Sequence, residues 1–321
     1  MNFSESNIKI WSRIGSRATF GMIALELGKN VDDLMILTAD VSTSAGLDRF
    51  KKQYPKKYID VGIAEQNLIG IAAGLSSEGF NVVTTTFAPF QTMRCCEQIK
   101  VNLGYMCQKV CMVGLASGLI LGTLGYTHCS IEDISIIRSI PNITIVSPAD
   151  SLETAKATIA AMHHKESIYI RLSGGVNNPQ VYKKDYEFNI GTSIQLREGN
   201  QITIIATGTM VHNALEAANL LEEKGVSASV INMHTIKPID KLAIQKSCEI
   251  SKLIVTIEEH SIIGGLGSAV AEQKAQIKNS PPQMIIGLPD KYGKGGTYED
   301  LKSKYGLLPN QIVDKIIKYY E

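Results

Sequence analysis

Several features that would define a specialised protein are missing from this sequence. Tryptophan occurs once, aromatic residues make up 6% of the chain, and 32 lysines and arginines balance 31 acidic residues. The formal net charge of +1 argues against a nucleic-acid-binding protein that depends on bulk charge. No block of like charges indicates a polybasic membrane anchor. We therefore expect neither nucleic acid nor a membrane as a partner.

Metal-binding and export signals are also absent. The six cysteines do not form the Cys-x-x-Cys pairs typical of zinc sites and redox dithiols, so we expect small buried thiols and no metal site within the chain. The first residues are polar and lack the apolar core of a signal peptide. The uncharged stretch 110–131 is interrupted by glycines, which indicates a buried strand and a loop. A cytoplasmic location is expected.

Short β-branched segments alternate with longer amphipathic segments along all 321 residues. This alternation predicts an α/β fold with mostly parallel sheets flanked by helices. The alternation stops over 176–188, where Gly, Asn, Pro and charged residues predict a linker. We expect two doubly wound domains, residues 1–175 and 189–321, as the chain length also suggests.

The most informative segment is DVGIAEQNLIGIAAG, residues 60–74. A strand is predicted to end at Gly62 and a helix to begin near Ala64, so that Glu65 lies in the first helical turn. Open α/β sheets bind ligands at that edge, where the carboxyl ends of the strands lie. The helix dipole alone also favours a glutamate in a first turn.

This segment resembles the pyrimidine-binding domain of transketolases and related thiamine-diphosphate enzymes. NITIVSPADSLETAKA, VINMHTIKPID and VTIEEHSIIGGLGSAVAE resemble later parts of transketolase in the same order. The resemblance covers essentially the whole chain, and it implies a pyrimidine-binding domain followed by the transketolase carboxyl-terminal domain. It further implies that thiamine diphosphate is the cofactor and that Glu65 is a catalytic residue, bonding N1′ of the cofactor aminopyrimidine.

The resemblance assigns three further residues to the cofactor. Phe87 and Phe90 match aromatic residues that pack on the aminopyrimidine, and their flat apolar rings suit that purpose. Asp40 matches an aspartate near the thiazolium. Met93 stands where transketolases often have a tyrosine, so the aromatic stacking is expected to be weaker here.

Four residues are assigned to the substrate in the same way. Arg17, Ser44 and Arg171 match residues that bind sugar phosphate, and the planar guanidinium suits a phosphate because it bonds two oxygens. His128 matches a catalytic histidine that contacts the substrate oxygen at the reacting carbon, where an imidazole can stabilise a developing alkoxide.

The substrate side also departs from the family pattern. Ala116 replaces a histidine that binds substrate phosphate. Leu124 replaces an aspartate that contacts a donor hydroxyl, and Thr123 and Cys129 replace a glutamate and a glutamine. The sequence therefore predicts an intact cofactor half and an altered substrate half, which favours a non-standard sugar.

The Gly-Asp-Gly motif through which transketolases hold Mg²⁺ and the diphosphate does not occur in the chain. The sequence starts close to where the pyrimidine-binding domain starts. We therefore expect one subunit of a split transketolase, with a partner subunit that carries the Gly-Asp-Gly motif and holds most of the Mg²⁺ site. Two copies of each subunit are expected, since closed two-fold symmetry is common.

Two alternatives remain open at this stage. The beta subunits of 2-oxo-acid dehydrogenase complexes share the two-domain arrangement and the cofactor. A nucleotide-binding module is the second alternative, because Gly264, Gly265 and Gly267 follow a predicted strand, although the third glycine of a G-x-G-x-x-G motif is missing.

Overall fold

The computed structural model describes residues 2–320 and contains two β-sheets flanked by helices. The strands are β1 (Leu34–Thr38), β2 (Tyr58–Asp60), β3 (Asn81–Phe87), β4 (Val110–Leu115), β5 (Ile143–Val146), β6 (Ser167–Arg171), β7 (Ile194–Arg197), β8 (Ile202–Ala206), β9 (Ala228–Asn232), β10 (Thr235–Lys237), β11 (Leu253–Ser261) and β12 (Gln283–Leu288). The α-helices are α1 (Glu5–Asn30), α2 (Asp48–Gln53), α3 (Glu65–Ser77), α4 (Ala88–Thr92), α5 (Cys96–Gln98), α6 (Asp133–Arg138), α7 (Ser151–His163), α8 (Met210–Glu223), α9 (Lys241–Ile250), α10 (Leu266–Lys274), α11 (Tyr298–Lys304) and α12 (Pro309–Tyr320).

The first sheet has the strand order β10-β5-β6-β4-β3-β1-β2, and the second has the order β12-β11-β8-β9-β7. All pairs are parallel except β10 with β5 and β7 with β9. Every residue of β4, β5, β6 and β8 is buried, as expected for parallel strands that helices cover on both faces. The predicted fold of two mostly parallel α/β sheets is confirmed.

The two predicted domains are less separate than the sequence indicates. Strand β10 comes from the predicted second domain, yet it forms the edge of the first sheet, pairing Thr235 with Val146. The carboxyl-terminal segment therefore contributes one strand to the first domain and is not a wholly separate unit. A three-residue strand carries too little periodicity to reveal its partner in the sequence.

The first helix bends at Gly15, whose φ is 81°. A Cβ at this position would lie 2.2 Å from the carbonyl oxygen of Gly175, so only glycine permits the close approach. The start of the predicted linker packs here, where the N–H of Asn178 donates to the carbonyl of Ser12. No helix or strand is present between Arg171 and Ile194. Within residues 2–320, no helix is long and apolar enough to span a bilayer.

Candidate active site

The predicted site residues lie at one edge of the first sheet, where its parallel strands end. Phe87 is the last residue of β3, Asp40 follows β1 by two residues, and Glu65 begins the helix after β2. His128 lies in the loop between β4 and α6. Because the carboxyl ends of parallel strands meet at one edge, distant parts of the sequence converge there.

Glu65 is the buried acid of this edge. Its side chain is 5% exposed, and Oε1 accepts a hydrogen bond of 2.8 Å from Nη1 of Arg94. The Arg94 side chain is 42% exposed, and its guanidinium carbon lies 4.0 Å from the centre of the Phe90 ring. The Glu65 carboxylate is therefore held by a single side chain, which is itself partly exposed to solvent.

Three rings form an aromatic cluster beside this pair. Phe87 and Phe90 meet edge to face with their centres 6.4 Å apart, and the His128 ring packs edge-on against Phe90 at 5.3 Å and Phe87 at 6.4 Å. Nδ1 of His128 lies 3.0 Å from the hydroxyl of Thr127. These contacts connect the predicted cofactor side to the predicted substrate side.

Asp60 fixes the backbone between these groups, and the sequence reasoning missed it. Its Oδ1 accepts hydrogen bonds from the N–H of Asp40 at 2.9 Å and of Gly62 at 3.0 Å. Partial burial raises the pKa of Asp60, but these two backbone bonds, together with side-chain hydrogen bonds from Thr38 and Tyr58, leave the pKa below its usual value. The bond also holds Asp40 in a left-handed conformation, with φ 56°. The sequence did contain a signal for this role, because an aspartate at the end of a strand, two residues before a glycine, is typical of a turn held by its carboxylate.

Arg17 and Ser44 lie on neighbouring segments. The turn that carries Ser44 packs on α1, since a Cβ at Gly21 would lie 2.2 Å from the carbonyl oxygen of Gly46. Arg17 is half-buried, and burial lowers its pKa. Within residues 2–320, its guanidinium forms neither a hydrogen bond nor an ion pair. A half-buried guanidinium without a partner is suited to receive an anion.

Arg171 is the clear correction to the sequence-based assignment. Its side chain is 2% exposed, Nε donates to Oδ2 of Asp133 at 2.8 Å, and Nη2 donates to the carbonyls of Ser130 and Glu259. A guanidinium buried in this way cannot meet a sugar phosphate. The expectation that Arg171 binds substrate is wrong, because an arginine at the end of a strand can face the core once a buried carboxylate accepts it.

The altered positions lie in different environments. Ala116 is fully buried, and its φ of 52° is a left-handed conformation that few residues other than glycine adopt. Leu124 ends a short 3₁₀ turn over Gly122–Leu124 and is 56% exposed. An exposed leucine presents apolar surface where a substrate hydroxyl would find no partner.

A site for nucleotide phosphate is not supported. The backbone N–H groups of Leu266 and Gly267, at the start of α10, already donate to the carboxylate of Glu258. A Cβ at Gly265 would lie 1.9 Å from Oε2 of Glu258, and one at Gly267 would lie 2.5 Å from Ile285. Close packing around a buried carboxylate explains these glycines, and it occupies the donors that a phosphate would need.

The residues present fit an aminopyrimidine but supply no evident metal site. A buried carboxylate with one displaceable partner beside a pair of aromatic rings matches a flat heterocycle with a ring nitrogen. Across residues 2–320, no group of three or more His, Cys, Asp or Glu side chains is arranged to hold a metal ion. Four of the six cysteines are buried, Cys96 is half-buried and Cys107 is exposed.

A two-domain α/β fold with this edge is typical of thiamine-diphosphate-dependent enzymes. The transketolase pyrimidine binding domain model matches residues 12–176, and the transketolase C-terminal domain model matches residues 191–312. The chain therefore belongs to the transketolase family, which implies thiamine diphosphate as cofactor, and it corresponds to the carboxyl-terminal subunit of a split transketolase.

Individual relatives agree with this placement. The chain is 38% identical to one of the subunits of the apulose-4-phosphate transketolase of Phocaeicola vulgatus, covering 92% of this chain and 94% of the relative. It is 39% identical to the 6-deoxy-6-sulfo-D-fructose transketolase subunit SqwH of Clostridium sp. (strain MSTE9), covering 92% of each. A solved structure described as a split gene transketolase, inactive beta4 tetramer, is 35% identical with a TM-score of 0.85, covering 95% of this chain and 97% of that one.

Proposed function

We propose that this subunit, with an amino-terminal partner subunit, transfers a two-carbon ketol unit from a non-standard ketose donor to an aldose-type acceptor. The observation that carries the proposal is the buried Glu65 carboxylate beside the Phe87, Phe90 and His128 rings. This arrangement provides an acid–base group, an apolar surface and one polar ring within one edge of the sheet.

Glu65 serves the cofactor, and Arg94 is its partner until the cofactor binds. Thiamine diphosphate, when bound, supplies the carbanion chemistry of the reaction. Glu65 holds or releases a proton at its carboxylate facing the ring nitrogen, while Phe87 and Phe90 orient the ring and exclude water. For this to happen Arg94 gives up Oε1, and the ring nitrogen would then replace it as the partner of the buried carboxylate.

The substrate side combines a polar ring with a free cation. His128 reaches the substrate oxygen at the reacting carbon, where it donates a hydrogen bond to developing negative charge. Arg17 binds the anionic end of the sugar, and Ser44 assists from the neighbouring turn. Asp40, which Asp60 holds in place, would lie near the thiazolium of the bound cofactor.

We assign the diphosphate and most of the Mg²⁺ site to the partner. Residues 2–320 place no metal-binding group beside Glu65, and the sequence lacks a Gly-Asp-Gly motif. We propose an assembly with two copies of each subunit, in which the partner supplies that motif and completes the site. The exposed residues around Glu65, which include Ile63 and Met93, are apolar surface for that contact.

The altered positions Ala116 and Leu124 support a non-standard sugar. The two relatives described above are named for apulose-4-phosphate and for 6-deoxy-6-sulfo-D-fructose. In this chain, buried Ala116 removes a phosphate ligand and exposed Leu124 removes a hydroxyl acceptor. A branched or deoxygenated ketose with an anionic end fits this pattern, because it needs Arg17 but fewer hydroxyl partners.

Reconstitution tests the proposal directly. The chain is co-expressed with a transketolase subunit that carries the Gly-Asp-Gly motif, and thiamine diphosphate binding is measured by calorimetry with and without Mg²⁺. A panel of ketose donors is then assayed with the complex and with the chain alone. We expect binding and turnover only in the complex. Robust ketol transfer by the isolated chain at micromolar concentration would overturn the partner requirement, and a complex without ketol transfer would overturn the function.

A further inference from the structure

The loop that carries His128 and Leu124 is closed at its base by two backbone hydrogen bonds. The N–H of Gly118 donates to the carbonyl of Ser130 at 2.8 Å, and the reverse bond measures 3.0 Å. We refer to residues 116–130 as the substrate loop. Its two stems, one at Gly118 and the other at Ser130, determine where the side chains between them lie.

Glu259, a buried residue of β11 in the second sheet, binds the first stem. Its Oε1 accepts the N–H of Leu119 at 2.5 Å. A Cβ at Gly118 would lie 2.2 Å from the same oxygen, and Gly118 has φ 75°, so a glycine is required for this approach. Without Glu259, the N–H of Leu119 would be a buried donor with no partner.

The second carboxylate oxygen and the main-chain carbonyl of Glu259 make further hydrogen bonds. Oε2 accepts the hydroxyl of Tyr298 at 2.6 Å and that of Thr209 at 3.0 Å, which holds the carboxylate in place from the second domain. The Glu259 carbonyl accepts Nη2 of Arg171, and the same nitrogen donates to the carbonyl of Ser130 in the second stem. The Glu259 side chain therefore binds the first stem, while the second stem is connected to the main chain of Glu259 through Arg171.

The tip of the substrate loop is also held by the second domain. The N–H of Gly296 donates to the carbonyl of Gly122 at 3.0 Å. The hydroxyl of Tyr126 is hydrogen-bonded to that of Tyr305, and the Tyr126 ring packs edge to face on Tyr292 with centres 5.5 Å apart. The tip is thus fixed by residues that lie far away in the sequence, as the first stem is.

We propose that Glu259 is a positioning residue for substrate recognition, through which the second domain sets the conformation of the substrate loop and the position of His128. This inference rests on the proposed function, because it assigns the substrate loop to sugar binding. Misplacement of a binding group by about 1 Å can reduce reactivity about 100-fold, so loss of the anchor is expected to weaken productive substrate binding. Cofactor binding depends on Glu65 and the aromatic pair, which Glu259 does not contact.

The test compares four variants in the full chain, reconstituted with the partner subunit. Glu259→Ala removes the anchor. Glu259→Gln can restore it, since its amide oxygen accepts from Leu119 and its NH₂ group donates to the hydroxyl oxygens. Glu259→Asp keeps the charge but is one methylene shorter, and it replaces the alanine variant if that variant does not fold. Tyr298→Phe is the matched control, because it removes a contact of Glu259 and leaves the Leu119 bond intact.

For Glu259→Ala we expect KM for the accepted ketose to rise by about 10- to 100-fold while the thiamine diphosphate Kd is unchanged. Amide hydrogen exchange at 118–130 should become at least about tenfold faster in the full chain, a readout that needs no activity. Glu259→Asp should show the same changes to a smaller extent. Glu259→Gln and Tyr298→Phe should keep the wild-type KM, even if Tyr298→Phe lowers the melting temperature.

Equal losses of melting temperature in Glu259→Ala and Tyr298→Phe, with unchanged KM and unchanged loop exchange, would overturn the positioning role. An unchanged KM and unchanged exchange in Glu259→Asp would do so where the alanine variant does not fold. An inactive wild-type complex would instead overturn the proposed function, while the exchange measurement would still decide whether Glu259 anchors the loop.

Discussion

The cofactor-facing half of the site and the substrate loop are supported by different parts of the chain. Glu65, Phe87, Phe90 and Arg94 lie within 30 residues of one another, on α3, β3, α4 and the turn that follows α4. The substrate loop is held by Glu259 and Tyr305 of the second domain. The cofactor side can therefore stay constant while changes in a distant domain reshape the substrate side.

Charge is also distributed differently between the two halves. The Glu65–Arg94 pair is half open to solvent on the arginine side, whereas Arg171, Asp133 and Glu259 are buried together beneath the substrate loop. Salt screens the interactions of such a buried network only weakly, and breaking the network costs folding free energy. A ligand can displace the first pair, while the second network has a structural role.

The largest effect is expected on the cofactor half, from Glu65→Gln. The amide cannot exchange a proton with the cofactor ring nitrogen, so hydrogen–deuterium exchange at C2 of bound thiamine diphosphate should slow at least about 100-fold. Nuclear magnetic resonance of the reconstituted complex measures this rate. Subunit assembly is the control and should not change. An unaltered exchange rate would leave Glu65 with only its helix-start role.

The next effect concerns the junction between the domains, where His234 precedes the crossing strand β10. Burial lowers the pKa of His234 to about 4, and its ring packs on Phe188. A lowered pKa means that the unfolded chain takes up a proton below about pH 6.5 while the folded chain does not. Stability should therefore fall between about pH 6.5 and pH 4, by on the order of 2 to 3 kcal/mol for this group.

His234→Asn tests this contribution through urea unfolding at a series of pH values. The variant is expected to be less stable at neutral pH but to show a shallower decline on acidification. The difference between the two profiles isolates His234 from other groups, including His260, whose pKa burial also lowers to about 4. Parallel profiles would show that protonation of His234 does not cause the loss of stability in acid.

Leu124→Asp addresses the substrate half. The side chain is exposed, so the change is not expected to disturb the fold. It restores an acceptor for a donor hydroxyl, and one charge-assisted hydrogen bond of about 1.5 kcal/mol corresponds to about a tenfold gain in kcat/KM for xylulose 5-phosphate. Leu124→Asn is the control for shape. If the unaltered complex already exceeds about 10⁴ M⁻¹s⁻¹ with this sugar, the altered-substrate proposal is wrong.

The sequence predicted the features that depend on local segments, but not those that depend on contacts between distant segments. The α/β fold and the position of Glu65 were accessible because a motif and a strand–helix boundary are local features. The inward orientation of Arg171 was not, because it depends on Asp133 and on carbonyls brought together only by tertiary packing. The edge position of β10 and the Glu259–Leu119 bond were likewise inaccessible, since each joins segments that are far apart in the sequence.

The smallest change in binding is expected from the substitution of Arg94. In this segment the sequence indicated only weaker aromatic stacking, at the neighbouring Met93. Arg94→Met removes the partner of Glu65 Oε1 but keeps a long side chain over Phe90. Because Arg94→Met leaves the Glu65 carboxylate buried without a partner, the cofactor-free protein should lose stability, which thermal unfolding measures. Thiamine diphosphate should bind the complex up to about fivefold more tightly, since Arg94 no longer competes for Glu65 and about 1 kcal/mol corresponds to that factor.

Calorimetry measures binding by this variant and by Arg94→Lys, which retains the charge and should resemble the wild type. Weaker binding by Arg94→Met would show instead that Arg94 contacts the cofactor itself and that the pair with Glu65 is not a competitor.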